Sequence, residues 1–311
     1  MRRVLVTGAS GFIGAQALDP LISRGFEVHA ISRRPQPSRE GVEWRQADLL
    51  SAESRRAVIE RVRPSHLLHF AWFAEHGRYW SAPENASWAD ATNALLREFA
   101  DVGGRRAVLA GTCAEYDWAA GPVLSEADTP LRPATVYGRE KDRARRSAEA
   151  AAARHGLSLA WGRIFFVFGP GEDPRRLTAS VAQALLEGRP AECTAGEQRR
   201  DFMHTRDLGN AFAALLASGV TGPVNVASGR TVSVADLVHA LARAAGRIDL
   251  VRLGARERSP GDPDAIEADV GRLRDEVGWQ PELDLETAAK ETIDWWAARV
   301  TSPRGAGTPP A

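Results

Sequence analysis

The residues best suited to acid–base chemistry are Tyr137 and Lys141, in the stretch TVYGREK. The chain has only three tyrosines and two lysines, so this pairing carries more weight than a pairing of common residue types would. Four residues apart on a helix, the two side chains lie on one face. A free phenol has a pKa of about 10, and a nearby ammonium favours the phenolate. The spacing predicts a tyrosine whose pKa Lys141 lowers enough for proton exchange near neutral pH; the alternative is an ordinary pair on a helix surface.

A second chemical signal is the glycine spacing that follows the aliphatic run RVLVT at residues 3–7. A dinucleotide pyrophosphate needs a tight turn, a close backbone approach and a helix whose N–H groups face the anion. The alternative is a glycine-rich turn of another α/β protein. We expect a cofactor-binding loop made of Gly8, Ser10, Gly11, Phe12, Ile13 and Gly14.

The elements that position these residues alternate along the chain. Strand-like runs are predicted at 3–7, 27–32, 66–71, 106–111, 157–163 and 223–228. Helical patterns are predicted near 12–24, 51–62, 84–102 and 138–155. Strands separated by helices of this length predict an α/β fold of right-handed βαβ units, with a parallel sheet covered on both faces.

The bulk composition argues against several classes of protein. The 311 residues carry 40 acidic and 40 basic side chains, so no strong field favours nucleic acid or an anionic membrane. No apolar run is long enough for a membrane-spanning helix, and the N-terminus is interpreted as a strand. Cys113 and Cys193 stand apart, without the spacing of a metal site or a disulfide scaffold. We therefore expect no nucleic-acid partner, no membrane partner and no metal, and a cytoplasmic location.

The motif TGASGFIG and the Tyr-x-x-x-Lys pair resemble the extended branch of the short-chain dehydrogenase/reductase superfamily. Further stretches similar to its NAD-dependent epimerase/dehydratase members are HFA (69–71), LSEADTPLRPATVYGREK (124–141), RIFFVFGPG (163–171), RDFMHTRDLGNAF (200–212) and VNVASGRTVSVADLV (224–238). The resemblance implies a doubly wound Rossmann-type sheet and a smaller C-terminal substrate-binding lobe. The expected division is 1–164 with 206–228 for the dinucleotide, 165–205 with 229–300 for the substrate, and a disordered tail at 301–311.

The same resemblance assigns roles to single residues. Thr112, in LAGTCAEYDW, would hold the substrate oxygen, the alternative being a strand-end residue without a role, and Lys141 would also bind the nicotinamide ribose. Cys113 packs near the substrate. Arg200 and Arg258 would hold a diphosphate, the alternative for each being an ordinary surface arginine.

The cofactor is expected to be NADP(H), with NAD(H) as the alternative. The second strand ends in ISRRPQP, where an NAD site usually has an acidic residue for the ribose 2′-hydroxyl. Ser32, Arg33 and Arg34 stand there instead, and arginine accommodates a 2′-phosphate. The alternative is two more solvated arginines. The resemblance adds Asp48 with Leu49 beside the adenine, and Phe70 with Ala71 at the turn near the cofactor.

Three reactions share this scaffold: 4-epimerisation, 4,6-dehydration and keto reduction. Family dehydratases have Asp-Glu directly after the threonine, but here Cys113 and Ala114 follow and Glu115 comes one residue later. Along a strand, that shift predicts a side chain on the opposite face, which disfavours dehydration. The arginine-bearing second strand favours net reduction with NADPH.

The leading hypothesis is an NADPH-dependent ketoreductase acting on a nucleotide-linked 4-keto-6-deoxyhexose. The alternatives are an NAD-dependent nucleotide-sugar 4-epimerase, an NADP(H)-binding redox sensor, and a reductase of an aromatic natural-product ketone. The last is suggested by the aromatic stretch AWFAEHGRYW (71–80) and by Phe166, where the family usually has asparagine. His76 and His204 are interpreted as structural. By analogy, a homodimer through helices 84–102 and 138–155 is expected.

Overall fold

The computed structural model describes residues 2–300. In chain order its strands are β1 (Arg2–Thr7), β2 (Phe26–Ser32), β3 (Val42–Gln46), β4 (His66–His69), β5 (Arg106–Thr112), β6 (Val123–Leu124), β7 (Ser158–Ile164), β8 (Phe166–Phe168), β9 (Ala191–Glu192), β10 (Arg199–His204), β11 (Gly222–Val226), β12 (Thr231–Ser233), β13 (Val251–Arg252) and β14 (Ala265–Ala268). Its α-helices are α1 (Leu18–Ser23), α2 (Ala52–Val62), α3 (Glu84–Asp101), α4 (Val136–His155), α5 (Leu177–Leu186), α6 (Thr205–Ala217), α7 (Val234–Ala244) and α8 (Leu285–Val300).

The larger sheet is parallel and has the order β11-β7-β5-β4-β1-β2-β3. The chain adds strands on one side of β1 and then crosses over to add the rest on the other side. The winding reverses between β1 and β4, and ligands of such sheets bind in the crevice at the carboxyl ends of the strands there. This sheet confirms the predicted α/β class and the six predicted strands; β3 was not predicted.

A smaller sheet is built mainly from the second half of the chain. Its order is β12-β10-β14-β6, with β8 paired to β10, and β9 pairs separately with β13. The strand β6 comes from Val123–Leu124, within the segment assigned from the sequence to the dinucleotide domain. The division into two lobes stays a prediction, and the predicted tail at 301–311 lies outside the described residues.

Helices cover both faces of the larger sheet, as expected for a parallel sheet. On one face α1 and α6 bury Leu18, Leu21, Leu208 and Phe212. On the other face α2, α3 and α4 bury Ile59, Leu96, Phe99, Ala144 and Ala148. Among residues 2–300, no helix has the length and apolar character needed to cross a membrane.

The first turn of α4 is fixed by local sequence. Thr135 caps the helix, its hydroxyl accepting the Gly138 amide at 3.0 Å. A Cβ at Gly138 would lie 2.3 Å from the carbonyl oxygen of Ala114, so glycine lets α4 touch the turn that follows β5. The helix therefore starts two residues earlier than predicted, and its first two turns lie against the end of β5.

Candidate active site

The glycine loop brings β1, the turn after β4 and the first helical turn into close contact. Gly8 has φ +65°, and a Cβ there would lie 2.8 Å from the Ala71 amide nitrogen. A Cβ at Gly14 would lie 2.2 Å from the carbonyl oxygen of Gly8. Both positions thus exclude larger residues, Gly8 by conformation and contact and Gly14 by contact alone.

Replacing Gly14 by alanine is expected to destabilise the fold by about 1–3 kcal/mol, because the methyl group forces backbone apart. Gly219→Ala is the matched control, since nothing lies within 4 Å of a Cβ there. Urea unfolding of both variants measures the difference. Equal midpoints for the two would show that the close approach at Gly14 does not constrain the loop.

The loop leaves backbone donors available for an anion. Within residues 2–300, the amides of Phe12 and Ile13 have no hydrogen-bond partner, whereas the Gly11 amide donates to the Gly8 carbonyl at 3.0 Å. A Cβ at Gly171 would lie 3.9 Å from the Phe12 ring, so the segment after β8 runs beside this loop. Unpaired amides in a glycine loop at the switch point fit the phosphates of a dinucleotide.

The end of β2 presents positive charge without an acid. The Ser32 hydroxyl accepts the Arg34 amide at 3.3 Å and the Gln36 side-chain amide at 3.1 Å. The guanidinium groups of Arg33 and Arg34 are exposed and form no ion pair with any residue of the described chain. These cations are free to bind an added phosphate.

The remaining predicted cofactor residues follow the carboxyl ends of β3 and β4. The Phe70 amide donates to the Thr7 carbonyl at 3.2 Å, and the Ala71 amide donates to the Thr7 hydroxyl at 3.3 Å. Asp48 is exposed after β3, and its carboxylate accepts the Leu50 amide at 3.0 Å. Leu49 is buried in the core beside α2. Asp48 thus lies exposed just after the carboxyl end of β3, and Leu49 belongs to the core.

Thr112, Tyr137 and Lys141 lie together at the end of β5. The Thr112 side chain lies close enough to the Tyr137 phenol to favour its ionised form. Lys141 is 4% exposed, and its ammonium donates to the Ala110 carbonyl at 2.8 Å. A hydroxyl pair beside a buried cation can hold a substrate oxygen and move a proton to it.

The predicted lowering of the Tyr137 pKa is wrong for this structure. Burial raises the pKa of Tyr137 above its usual value, and the neighbouring Tyr79 adds to the rise, while the hydrogen bond from Thr112 opposes it. Burial also lowers the pKa of Lys141 to about 7, against the opposing effect of Glu115. The phenol is therefore a proton donor at neutral pH, and the ammonium is the group that titrates there.

A buried charge network beneath Thr112 was not predicted. The Glu115 carboxylate accepts from Arg163 at 2.8 Å, from the Trp161 indole at 2.9 Å and from the Thr112 amide at 2.9 Å. Glu115 lies in a 3₁₀ turn, so the strand alternation used to place it does not apply, yet its carboxylate is fully buried. The signal available in the sequence was an arginine inside the apolar strand LSLAWGR.

The network continues to the smaller sheet. Arg163 donates to the Tyr116 hydroxyl at 2.9 Å, and that hydroxyl donates to Asn225 at 2.8 Å. Asn225 donates in turn to the Leu124 carbonyl at 2.8 Å. Glu115 is therefore a structural anion and is not available as the acid of a dehydration.

Arg200 and Arg258 converge on one carboxylate. Arg200 is buried, and its guanidinium lies 2.5 Å from the Asp262 carboxylate and above the Phe166 ring. Arg258 is partly exposed and contacts Asp262 at 3.5 Å. The charge of Arg200 lowers the pKa of Cys113, although burial raises that pKa overall to about 12. Arg200 thus lies close enough to Cys113 to affect its pKa, and Cys113 is a buried thiol.

An aromatic loop, residues 72–82, covers the tyrosine. The rings of Tyr79 and Trp80 pack edge-on against Tyr137, with centroids 5.1 and 5.7 Å away, and the Tyr137 amide donates to the Trp80 carbonyl at 3.2 Å. Trp72 lies over the Lys141 ammonium, with its ring centroid 3.8 Å away. Sequence reasoning noted the aromatic content here but did not place it on the catalytic pair.

The two histidines considered in the sequence differ in position. His204 caps α6, accepting the Arg206 amide at 3.3 Å, and burial lowers its pKa to about 4. His76 belongs to the aromatic loop, where burial lowers its pKa and Asp173 opposes the change. His204 therefore has a structural contact of its own.

The chain was compared with known proteins. Residues 4–227 match the model of the NAD dependent epimerase/dehydratase family. The chain is 28% identical to a UDP-glucose 4-epimerase of Azospirillum brasilense, over 99% of this chain and 95% of that protein. It is 27% identical to a dTDP-4-dehydro-6-deoxy-D-allose reductase of Streptomyces bikiniensis, over 95% of this chain and 96% of that protein.

A solved structure agrees with these matches. MoeE5 in complex with UDP-glucuronic acid and NAD is 31% identical, with 96% of this chain and 99% of that chain covered and a TM-score of 0.82. The resemblance deduced from the glycine loop and the Tyr-x-x-x-Lys pair is confirmed. The chain belongs to the NAD dependent epimerase/dehydratase family, and is an enzyme of the extended short-chain dehydrogenase/reductase type that uses a nicotinamide cofactor.

Proposed function

We propose that the enzyme is an NADPH-dependent ketoreductase acting on a nucleotide-linked 4-keto-6-deoxyhexose. The observation that carries the cofactor preference is the end of β2, where Arg33 and Arg34 are exposed and form no ion pair with any other residue of 2–300. An acidic residue there would repel a 2′-phosphate, whereas two free guanidiniums attract it. A cofactor consumed in each turnover suits net reduction of a ketone.

The catalytic residues support proton delivery to a carbonyl oxygen. The cofactor would supply the hydride when bound. Thr112 would hold the substrate oxygen where negative charge develops, and Tyr137, whose phenol lies near the Thr112 side chain, would donate the proton. The Lys141 ammonium has three donors, of which Ala110 takes one, so the others can bind a ribose hydroxyl.

The substrate side supports a diphosphate. Arg200 and Arg258 share Asp262, and planar guanidinium groups bind phosphate oxygens in pairs. The similarity to a dTDP-4-dehydro-6-deoxy-D-allose reductase supports a sugar nucleotide with a keto group. We also propose a cytoplasmic homodimer, in which α3 and α4 form the interface; light scattering would report its mass.

Arg33→Ala is expected to weaken NADPH binding by about 10–100-fold, because the variant loses one charge-assisted hydrogen bond to the 2′-phosphate. NADH binding should change little, because NADH has no 2′-phosphate. Calorimetric titration of both cofactors measures the ratio. Arg45→Ala, which removes a partly exposed arginine already paired with Glu43, is the control. Equal losses for both cofactors in Arg33→Ala would remove the 2′-phosphate assignment.

The function itself is tested by following NADPH absorbance with a panel of ketones. Oxidation of NADPH in the presence of nucleotide-linked 4-keto-6-deoxyhexoses supports the proposal. Oxidation of NADPH only in the presence of aromatic ketones would indicate that the aromatic loop binds that class of substrate. A chain that binds cofactor but reduces no ketone would be a redox sensor.

The second candidate is an NAD-dependent nucleotide-sugar 4-epimerase. It is favoured by the similarity to UDP-glucose 4-epimerase along nearly the whole chain. An epimerase needs no added cofactor for net turnover, so interconversion of UDP-glucose and UDP-galactose by the protein as purified would decide for it. Tight retention of NAD through purification would accompany that result.

A further inference from the structure

We propose that Trp72 and Asn85 are positioning residues that hold the Lys141 ammonium and the aromatic loop as one unit. The proposal rests on the proposed function only for the role of Lys141. Two contacts carry the proposal: the buried side-chain amide of Asn85 contacts the Trp72 indole, and that indole contacts the Lys141 ammonium.

The indole of Trp72 is held at both its face and its edge. Its ring centroid lies 3.8 Å from the Lys141 nitrogen, within the range of a cation–π interaction. Its N–H donates to the Asn85 side-chain oxygen at 2.7 Å. The carbonyl of Ala110 contacts the same ammonium at 2.8 Å. The cation thus has one hydrogen-bond acceptor and one ring face as partners.

Asn85 ties this ring to the loop that covers Tyr137. It is fully buried, and its side-chain nitrogen donates to the carbonyls of Tyr79 and Ala82 at 2.7 and 2.8 Å. Between these two residues, the carbonyl of Trp80 accepts the Tyr137 amide at 3.2 Å. One asparagine therefore fixes the loop against both members of the catalytic pair.

The indole counteracts the effect of burial on the lysine. Burial lowers the pKa of Lys141 to about 7, which would leave much of it uncharged at neutral pH. Among the described residues, the charged group that faces it is Glu115, which raises this pKa; His69 lies nearby, but its own pKa is lowered to about 3, so it is neutral near pH 7. A ring face stabilises the ammonium over the amine, so Trp72 shifts the protonation equilibrium of Lys141 toward the charged form.

The test uses the scarcity of lysine. With lysine labelled by ¹⁵N at the side chain, the protein gives two signals, from Lys141 and the exposed Lys290, and Lys290→Arg assigns them. In Trp72→Leu the pKa of Lys141 is expected to fall by about one unit. Trp72→Phe, which keeps a ring face, should give a smaller fall. Trp44→Leu, on β3, is the matched control.

The outcomes separate this proposal from the proposed function. An unchanged or raised pKa in Trp72→Leu, relative to Trp44→Leu, would overturn it, and Trp72→Met repeats the test should leucine unfold the chain. In Asn85→Ala, hydrogen exchange at the Tyr137 amide should rise, and unchanged exchange would overturn the role of Asn85. Neither measurement needs cofactor or ketone, so a chain inactive with every ketone can still show both effects.

Discussion

Tyr137→Phe is expected to lower turnover by about 10²–10⁴-fold while leaving cofactor binding intact. The phenylalanine ring keeps the packing against Tyr79 and Trp80, so the aromatic loop stays in place. What is lost is the hydroxyl that lies near the Thr112 side chain and that, in the proposed mechanism, supplies the proton. Turnover at saturating NADPH and substrate, together with a binding titration of NADPH, measures the two effects separately.

The control is the loss of a hydroxyl from another buried tyrosine. Tyr116→Phe removes contacts to Arg163 and Asn225 without touching the proton path, so it should reduce stability more than turnover. Turnover in Tyr137→Phe equal to that of the wild type would remove Tyr137 from the mechanism. Loss of NADPH binding in the same variant would show that the ring position has changed.

Arg163→Met is expected to destabilise the protein by about 3–5 kcal/mol, the largest change in stability we anticipate. Glu115 is fully buried and Arg163 is 1% exposed, so the variant leaves a carboxylate in the core without its counterion. The methionine fills much of the vacated volume, so the decrease in the free energy of unfolding reflects the unpaired charge of Glu115 more than lost packing. Urea unfolding followed by far-UV circular dichroism measures it.

Two further variants test that interpretation. Combining Arg163→Met with Glu115→Gln removes the uncompensated charge, so the double variant should be more stable than Arg163→Met alone. Lys290→Met breaks the exposed pair with Asp294 and should cost about 0–1 kcal/mol. A double variant less stable than the single one would show that Glu115 remains favourable without Arg163.

The sequence was sufficient for the parallel sheet because its central strands are continuous apolar runs between helical patterns. The strand β3 was missed because it lies at the sheet edge and has Glu43, Arg45 and Gln46 among its five residues. The strand β6 was missed because its two residues pair with β14, more than a hundred residues further along the chain. Such pairings carry no local periodicity.

The sequence identified the residues of the catalytic group but not the directions of their pKa changes. Spacing identified Tyr137 and Lys141, since i and i+4 positions share a helix face. Burial determines the direction of both pKa changes, and burial depends on the aromatic loop, whose position no spacing rule reveals. For the same reason Trp72 and Asn85 were not among the predicted site residues.

The strand β6 has a consequence for how the molecule folds and unfolds. The chain leaves the larger sheet after β5 to form β6 of the smaller sheet, and then returns through α4 to the larger sheet for β7. It enters the smaller sheet again for β8 and β10, returns to the larger sheet for β11, and leaves it once more for β12. A single proteolytic cut therefore cannot release two halves that each retain a whole sheet. Spectroscopic probes placed in either region should report one shared melting transition.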